Sequence, residues 1–341
     1  MKQFVSRVIR FLKRIRNNNP RYAWYVMRKD RYHLLFSSLS PNYVYPGRVV
    51  EGESKKVYCP YEGNLEGGGL ADRLRGILST YYVCKQLDIK FRLVFNNPFE
   101  LKEYLEPNNY NWLEDNLNLR YDIPKDNILI LDATQDSPYQ KMKQKKWLQR
   151  LLSKRNGQIH VYTNAAFSYD YGYHELFHEL FKPTDRLQSA IDKQLSAIDS
   201  RYISISCRFL NLLGDFNETH GYDNHLPEEE KETILSSVLM QVEKLHLKHP
   251  DCKILCNSDS VTFLKRVLQF DYTYVIPGEV THIDAKGSHG DYHKYEKTFL
   301  DFFMIANADH IYLLKTGQMF KSGYPYAASK LYNKPFDTIS F

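Results

Sequence analysis

The sequence predicts an α/β protein of two Rossmann-like lobes facing a cleft, preceded by a basic amphipathic N-terminal helix. Three observations carry this. Apolar strand-like runs alternate with helical patterns over residues 57–199 and again over 200–341, which implies parallel sheets with helices on their faces. The chain has 341 residues, 43% apolar and 25% charged, enough for two well-buried cores and unlike a disordered or membrane-embedded protein. Residues 1–31 stand apart, with ten Lys/Arg against the single acid Asp30, an excess of nine positive charges that leaves the other residues a net −3 of the chain's +6.

Taken in order, residues 3–16 place Phe4, Val5, Val8, Phe11, Leu12 and Ile15 near one helical stripe, with Arg7, Arg10, Lys13 and Arg14 on the remainder. The run is too short and too charged to span a membrane and lacks a signal-peptide core. It reads as an anchor on an anionic membrane surface through residues 1–16, or as a helix docked on the body by its stripe. The mildly acidic body offers no matching basic surface, so no nucleic-acid partner is expected. Asn17-Asn18-Asn19-Pro20 ends the helix, and residues 21–56 read as an irregular connector. The five cysteines are odd in number and not spaced as a zinc site; they read as reduced thiols of a cytoplasmic protein, peripheral on the inner face of the membrane.

In the lobe at 57–199 the patterns predict a helix over 70–87, a strand at 90–95, a short helix near 100–105, a strand at 128–132, a basic helix over 139–152, a strand at 158–163 and a helical stretch over 173–199. In the lobe at 200–341 they predict strands at 202–206, 253–256, 272–276 and 310–314. The helices of that lobe fall at 227–249, 261–269, 294–306 and 325–332. Parallel sheets bind ligands beyond the carboxyl ends of their strands.

The candidate chemistry lies at such ends. Gly67-Gly68-Gly69 tips into the helix that carries Asp72, Arg73 and Arg75. Glycines allow positive φ and close approach, and a helix N-terminus attracts anions, whereas two arginines there oppose the helix dipole. No Walker lysine and no GxGxxG spacing accompany them. In the second lobe Arg208 leaves the strand at 202–206, and Asn257-Ser258-Asp259 follows the strand at 253–256. There Ser258 or Asp259 can cap the next helix and offer a hydroxyl or carboxylate to a ribose or base. Lys321-Ser322-Gly323-Tyr324 precedes the last helix and suits a phosphate nest. The loop 281–293 holds His282, Asp284, His289, Asp291 and His293 in a spacing that fits no standard zinc site. It reads as an acceptor-contacting or donor-covering loop, with no metal expected.

These segments resemble the fucosyltransferase superfamily that includes bacterial chitin-oligosaccharide α-1,6-, plant xyloglucan α-1,2- and protein O-fucosyltransferases. Its G-x-G-[ND]-[RQ] loop is matched by Gly69-Leu70-Ala71-Asp72-Arg73, with Ala71 for a glycine. Its H-x-R strand end is matched by Ser206-Cys207-Arg208, without the histidine. Ser258-Asp259 matches an S/T-D pair, and Asp301-Phe302-Phe303 through Ser322–Ala328 matches its last helix–strand–helix start. The resemblance implies a GT-B-like, inverting glycosyltransferase that moves fucose from GDP-fucose onto an oligosaccharide or lipid-linked glycan, with no cofactor and no metal. It implies that Arg208 stabilises the leaving diphosphate. Asn257, Ser258, Asp259, Lys321, Ser322, Gly323 and Tyr324 would hold the nucleotide, with Gly68, Gly69 and Arg73 closing from the other lobe. Asp215, Glu218 and Asp72 are the candidate bases, and His289 is placed with Glu218 toward the acceptor. The alternative is a non-catalytic glycan-binding or scaffold protein of the same fold.

Overall fold

The computed structural model describes residues 56–61, 68–113, 128–133, 157–164, 172–216, 225–278, 283 and 292–341. The N-terminal helix at 3–16, the connector up to residue 55, Gly67, the helix at 139–152, Glu218 and most of the loop 281–293 with His289 lie outside the described residues. The strands are β1 (Lys56–Tyr61), β2 (Lys90–Phe95), β3 (Leu105–Pro107), β4 (Ile128–Ala133), β5 (Gln158–Thr163), β6 (Phe181–Pro183), β7 (Tyr202–Cys207), β8 (Lys253–Ser258), β9 (Thr273–Tyr274), β10 (Ile311–Lys315) and β11 (Phe336–Ser340). The helices are α1 (Leu70–Gln86), α2 (Tyr173–Leu180), α3 (Asp185–Ile198), α4 (Glu228–Lys248), α5 (Val261–Val267), α6 (Tyr292–Asn307) and α7 (Tyr324–Leu331). The described residues fall into two compact units, one within 1–68, 72–100 and 107–172, the other within 69–71, 101–106 and 173–341.

In the first unit the sheet order is β2-β1-β5-β4, and every pair is parallel. Within this unit α1 buries Leu74, Ile77, Leu78, Tyr81 and Cys84, a helical stripe. It comes so close to β5 that a Cβ on Gly76 would stand 2.4 Å from the Thr163 carbonyl oxygen. β1 escapes a reading by pattern because it contains Pro60, a residue rare inside paired strands. Its pairing with β5 stops at Tyr58, so Pro60 lies beyond that ladder.

The second unit is a sheet in the order β11-β10-β7-β8-β9, again all parallel. β7 reads YISISC and is buried at all six positions, as a strand covered on both faces must be. One face of it carries Ile203, Ile205 and Cys207 into a core with Leu235, Val238, Val242 and Leu245 of α4 and Phe263 and Val267 of α5. The expected continuous helix over 173–199 is interrupted. Pro183 cannot donate a helical hydrogen bond, so the chain runs through β6, which pairs with β3, and Thr184 then caps α3 by accepting from the Leu187 amide. The short helix expected near 100–105 is a single 3₁₀ turn over Leu101–Glu103 before β3. β11, on the sheet's edge, has no buried position and so showed no apolar pattern.

α2 and α7 are tied by two histidines. His174 Nδ1 and His178 Nε2 lie 2.6 and 3.0 Å from the Leu331 carbonyl at the end of α7, and each must donate an N–H to it.

Gly76→Ala is expected to lower stability by ~1–3 kcal/mol, since neither the Thr163 backbone nor Tyr61 beside it can yield without shifting β5 or β1; thermal unfolding of the full chain measures it. A second expectation concerns pH. Burial pushes the His178 imidazole below its ordinary value near 6.5, with His174 adding to the effect and the bond to Leu331 opposing it. A group whose pKa is lowered by folding favours the fold fully above its unfolded value, and that contribution is lost as acid protonates the unfolded chain first. His178→Gln should therefore flatten the fall in the urea midpoint between about pH 7 and 5 relative to the parent. An unchanged slope would place the titration elsewhere.

Candidate functional site

The second sheet reverses direction between β7 and β10. From β7 the chain steps outward through β8 to β9, then returns to the other side of β7 for β10 and β11. The carboxyl ends at such a switch point open a crevice, because the loops leave in opposite directions. Arg208 follows β7, Asp259 follows β8, and Phe320 to Tyr324 follow β10. Parallel register sets Ser206 beside Asn257 and Leu313, and Cys207 beside Ser258, so these three segments occupy one edge.

Arg208 is fixed through its backbone. Its carbonyl accepts from the Phe320 amide at 2.9 Å, and its guanidinium carbon lies 5.4 Å from the centre of the Phe320 ring. The next residues turn inward. Phe209 and Leu212 are fully buried in the core with Met319, so the apolar stretch 209–213 is a plug. The turn requires Leu210 to hold φ +55, a left-handed conformation that a large side chain adopts at a cost of ~1–3 kcal/mol. Asp259 holds it there. Its Oδ1 accepts the Phe209 amide at 2.9 Å and its Oδ2 the Leu210 amide at 2.8 Å. Burial raises the Asp259 pKa, while these amides and Arg208 pull it back down.

The expected duties of several residues are corrected by these contacts. Ser260, not Ser258 or Asp259, caps α5, accepting from the Phe263 amide. The Ser258 hydroxyl accepts from the Ser260 amide at 3.1 Å. Asp215 reinforces the cap, with Oδ2 receiving the Ser260 hydroxyl at 2.8 Å and the Thr262 amide at 2.6 Å. Its Oδ1 is buried and has no partner among the described residues, so the observed contacts of this carboxylate all serve helix α5. The Asn257 amide nitrogen donates to the Ser204 hydroxyl at 3.3 Å.

The start of α7 is the open part of the edge. Gly323 is the N-cap residue and offers no side chain to the helix amides, and a Cβ there would meet nothing within 4 Å. The Ser322 hydroxyl accepts from the Tyr324 amide at 3.3 Å, and Lys321 is exposed beside it. Tyr324 is anchored below by its hydroxyl, which donates to the Thr298 carbonyl of α6. On the same helix Lys297 reaches both oxygens of Asp301 at 2.8 Å, with side chains only 9% and 10% exposed. Burial raises the Asp301 pKa and Lys297 opposes the rise. Pattern reading noticed Asp301 as part of an acidic-apolar helix but not its partner four residues earlier, although i, i+4 spacing of opposite charges is visible in a sequence.

In the first unit, Gly68 takes φ +75, and a Cβ there would stand 2.9 Å from Asp72 Oδ2. Arg73 is corrected more sharply. It is 1% exposed; its Nε donates to the Gly68 carbonyl and its Nη1 to the Asn97 carbonyl, each at 2.9 Å. Its guanidinium lies 5.5 and 5.3 Å from the rings of Tyr61 and Phe95. Arg75 donates to Asp72 at 2.6 Å and to the Asn164 carbonyl at 2.8 Å. Both arginines serve carbonyls at strand and loop ends, so fold stability explains them after all, and Asp72 is an ion-pair partner. Gly69 leads into α1 and is half-buried.

All five cysteines are free, and burial pushes the Cys59 thiol up to about 12. Among the described residues no three His, Cys, Asp or Glu side chains are grouped to hold a metal, and no helix is long and apolar enough to cross a membrane.

These features define a doubly wound α/β unit with a ligand-type edge at its switch point. No protein-family model and no curated protein matches the chain. Solved structures do. NodZ α-1,6-fucosyltransferase soaked with GDP-fucose matches with a TM-score of 0.53 at 14% identity, covering 82% of this chain and 93% of that one. Fucosyltransferase NodZ from Bradyrhizobium matches with a TM-score of 0.51 at 14% identity, over 81% and 93%. A mutant of FUT1 from Arabidopsis thaliana in complex with GDP matches with a TM-score of 0.52 at 14% identity, over 97% and 78%. The chain therefore has the α/β fold of these fucosyltransferases, as its sequence motifs implied.

Asp301→Asn should cost ~3–5 kcal/mol by leaving Lys297 buried opposite a neutral group. Replacing both, Lys297→Met with Asp301→Leu, should be neutral or stabilising by ~1–4 kcal/mol. Denaturant titration of the two variants checks the pair.

Proposed function

We propose that this chain is a glycosyltransferase that moves fucose from GDP-fucose onto a glycan acceptor by an inverting, metal-independent displacement. The observation that carries the proposal is the position of Arg208, fixed by its backbone at the switch point of the second sheet beside the uncapped start of α7. A nucleoside diphosphate suits that edge. The α7 N-terminus gives a positive dipole end to one phosphate, with Lys321 and the Ser322 hydroxyl at hand, although Pro325 has no amide hydrogen to offer there and the Tyr324 amide already meets Ser322. A planar guanidinium can then take the negative charge that develops on the leaving diphosphate, the work a divalent cation performs in other transferases. The fold shared with structures that hold GDP-fucose or GDP supports the same reading. The glycan acceptor, oligosaccharide or lipid-linked, is proposed on the same ground. A peripheral position at an anionic membrane, through residues 1–16, is proposed from the basic stripe alone.

Calorimetric titration of the protein with GDP, GDP-fucose and UDP in EDTA tests this. GDP and GDP-fucose should bind saturably and UDP should not, and Arg208→Ala should weaken GDP binding about tenfold or more, as loss of a charge-assisted contact worth ~1.5–3 kcal/mol would. Absence of guanine-nucleotide binding at millimolar ligand overturns the proposal in favour of a non-catalytic glycan-binding protein with the same fold.

A further inference from the structure

Every carboxylate oxygen that Asp259 has is already receiving a backbone N–H: Phe209 on Oδ1 at 2.9 Å and Leu210 on Oδ2 at 2.8 Å. The residue is 8% exposed, so it meets these amides where water competes weakly. The two amides belong to the residues immediately after Arg208, and the second belongs to the one that holds φ +55. The same Arg208–Phe209 peptide group is held on its carbonyl edge by the bond from the Phe320 amide to the Arg208 carbonyl. The loop is thus clamped from β8 and from the segment after β10 at once. A leucine holds a left-handed conformation only at a cost, and releasing the Phe209 amide from the carboxylate would leave the Arg208–Phe209 peptide free to rotate, and with it the backbone from which the Arg208 side chain departs. Two amides converging on one carboxylate are the means that prevents it, each charge-assisted hydrogen bond being stronger than a neutral one.

We infer that Asp259 is a positioning residue that sets the direction of Arg208 and does not itself touch the nucleotide. The inference rests on the donor site proposed above and changes the duty expected of Asp259 within it. The two members of the Ser258-Asp259 pair act together: the Ser258 hydroxyl accepts from the Ser260 amide at the turn into α5 and donates to Asp259 Oδ1 at 3.4 Å, while the aspartate reaches across to the neighbouring strand's loop.

A double-mutant cycle read by GDP calorimetry tests it. Arg208→Ala, Asp259→Asn and the double variant are titrated beside the parent. Asparagine keeps the shape but turns an NH2 toward one of the two amides, so Asp259→Asn should weaken GDP binding about three- to tenfold. If Asp259 acts through Arg208, the double variant binds no more weakly than Arg208→Ala alone, the signature of coupled residues. Multiplied losses would mean that Asp259 makes its own contact with the nucleotide and would overturn the inference. Asp259→Glu is the second variant: it keeps the charge one methylene too far for both amides, so it should repeat the coupled loss, whereas a purely electrostatic role would leave it near the parent. Amide hydrogen exchange at Phe209 and Leu210 supplies a readout without ligand. Protection in the parent that is lost in Asp259→Asn supports the clamp, and unchanged exchange overturns it. A parent protein that binds no GDP yet shows the exchange change refutes the donor proposal and leaves the clamp standing as a loop-ordering device for a different ligand.

Discussion

The second unit depends on the pairing of β7 on both sides. A strand flanked by β8 and β10 and covered on both faces has little left for water, so its six residues are Ile, Cys, Ser and Tyr, with Ser204 meeting Asn257 of β8 and the Tyr202 hydroxyl donating to the Met304 carbonyl of α6. Its carboxyl end is where that burial stops. The chain must turn there, and neighbouring strands on both sides supply the groups that decide how. Arg208, the first residue past the strand, therefore has a position determined by three strands rather than by its own loop.

The acids of this edge do backbone work. Asp259 gathers two amides of the Arg208 loop, and Asp215 gathers the Thr262 amide with the Ser260 hydroxyl at the start of α5. Buried carboxylates are tolerated where they receive several donors, and there they order segments that an apolar side chain could not. The cations differ between the units. Arg73 is enclosed by carbonyls and aromatic rings, whereas Lys321 is exposed beside an uncapped helix. An anion-binding edge needs the second kind.

Much of the architecture was legible because buried strands and amphipathic helices leave periodic traces. β5 was read at its observed bounds, and β7, α1, α4 and α6 were read to within a residue or two, each having a continuous apolar run or a stripe such as Leu70, Leu74, Ile77 and Leu78. β1 was hidden by Pro60, and β11 by its exposure on the edge. The break at β6 was written in Pro183, but the helical pattern on either side outweighed it. The candidate site was legible only as a set of strand-end residues, because Arg208, Ser258-Asp259 and Ser322–Tyr324 each follow an apolar run. Their duties were not. Which oxygen meets which amide depends on residues 50 and 49 positions apart, and nothing in local sequence marks Leu210 as left-handed.

The sequence by itself determined that the chain is α/β with parallel sheets, because period and composition reflect burial directly, and it determined which short segments stand at strand ends. Tertiary structure decided the strand order and hence the switch point between β7 and β10. It decided that Arg73 is a buried tether and that Asp259 faces a loop rather than open solvent. The physical reason is the same in each case. Burial patterns are properties of one segment, whereas a hydrogen bond or an ion pair is a property of two segments, and their meeting is fixed only when the sheet closes.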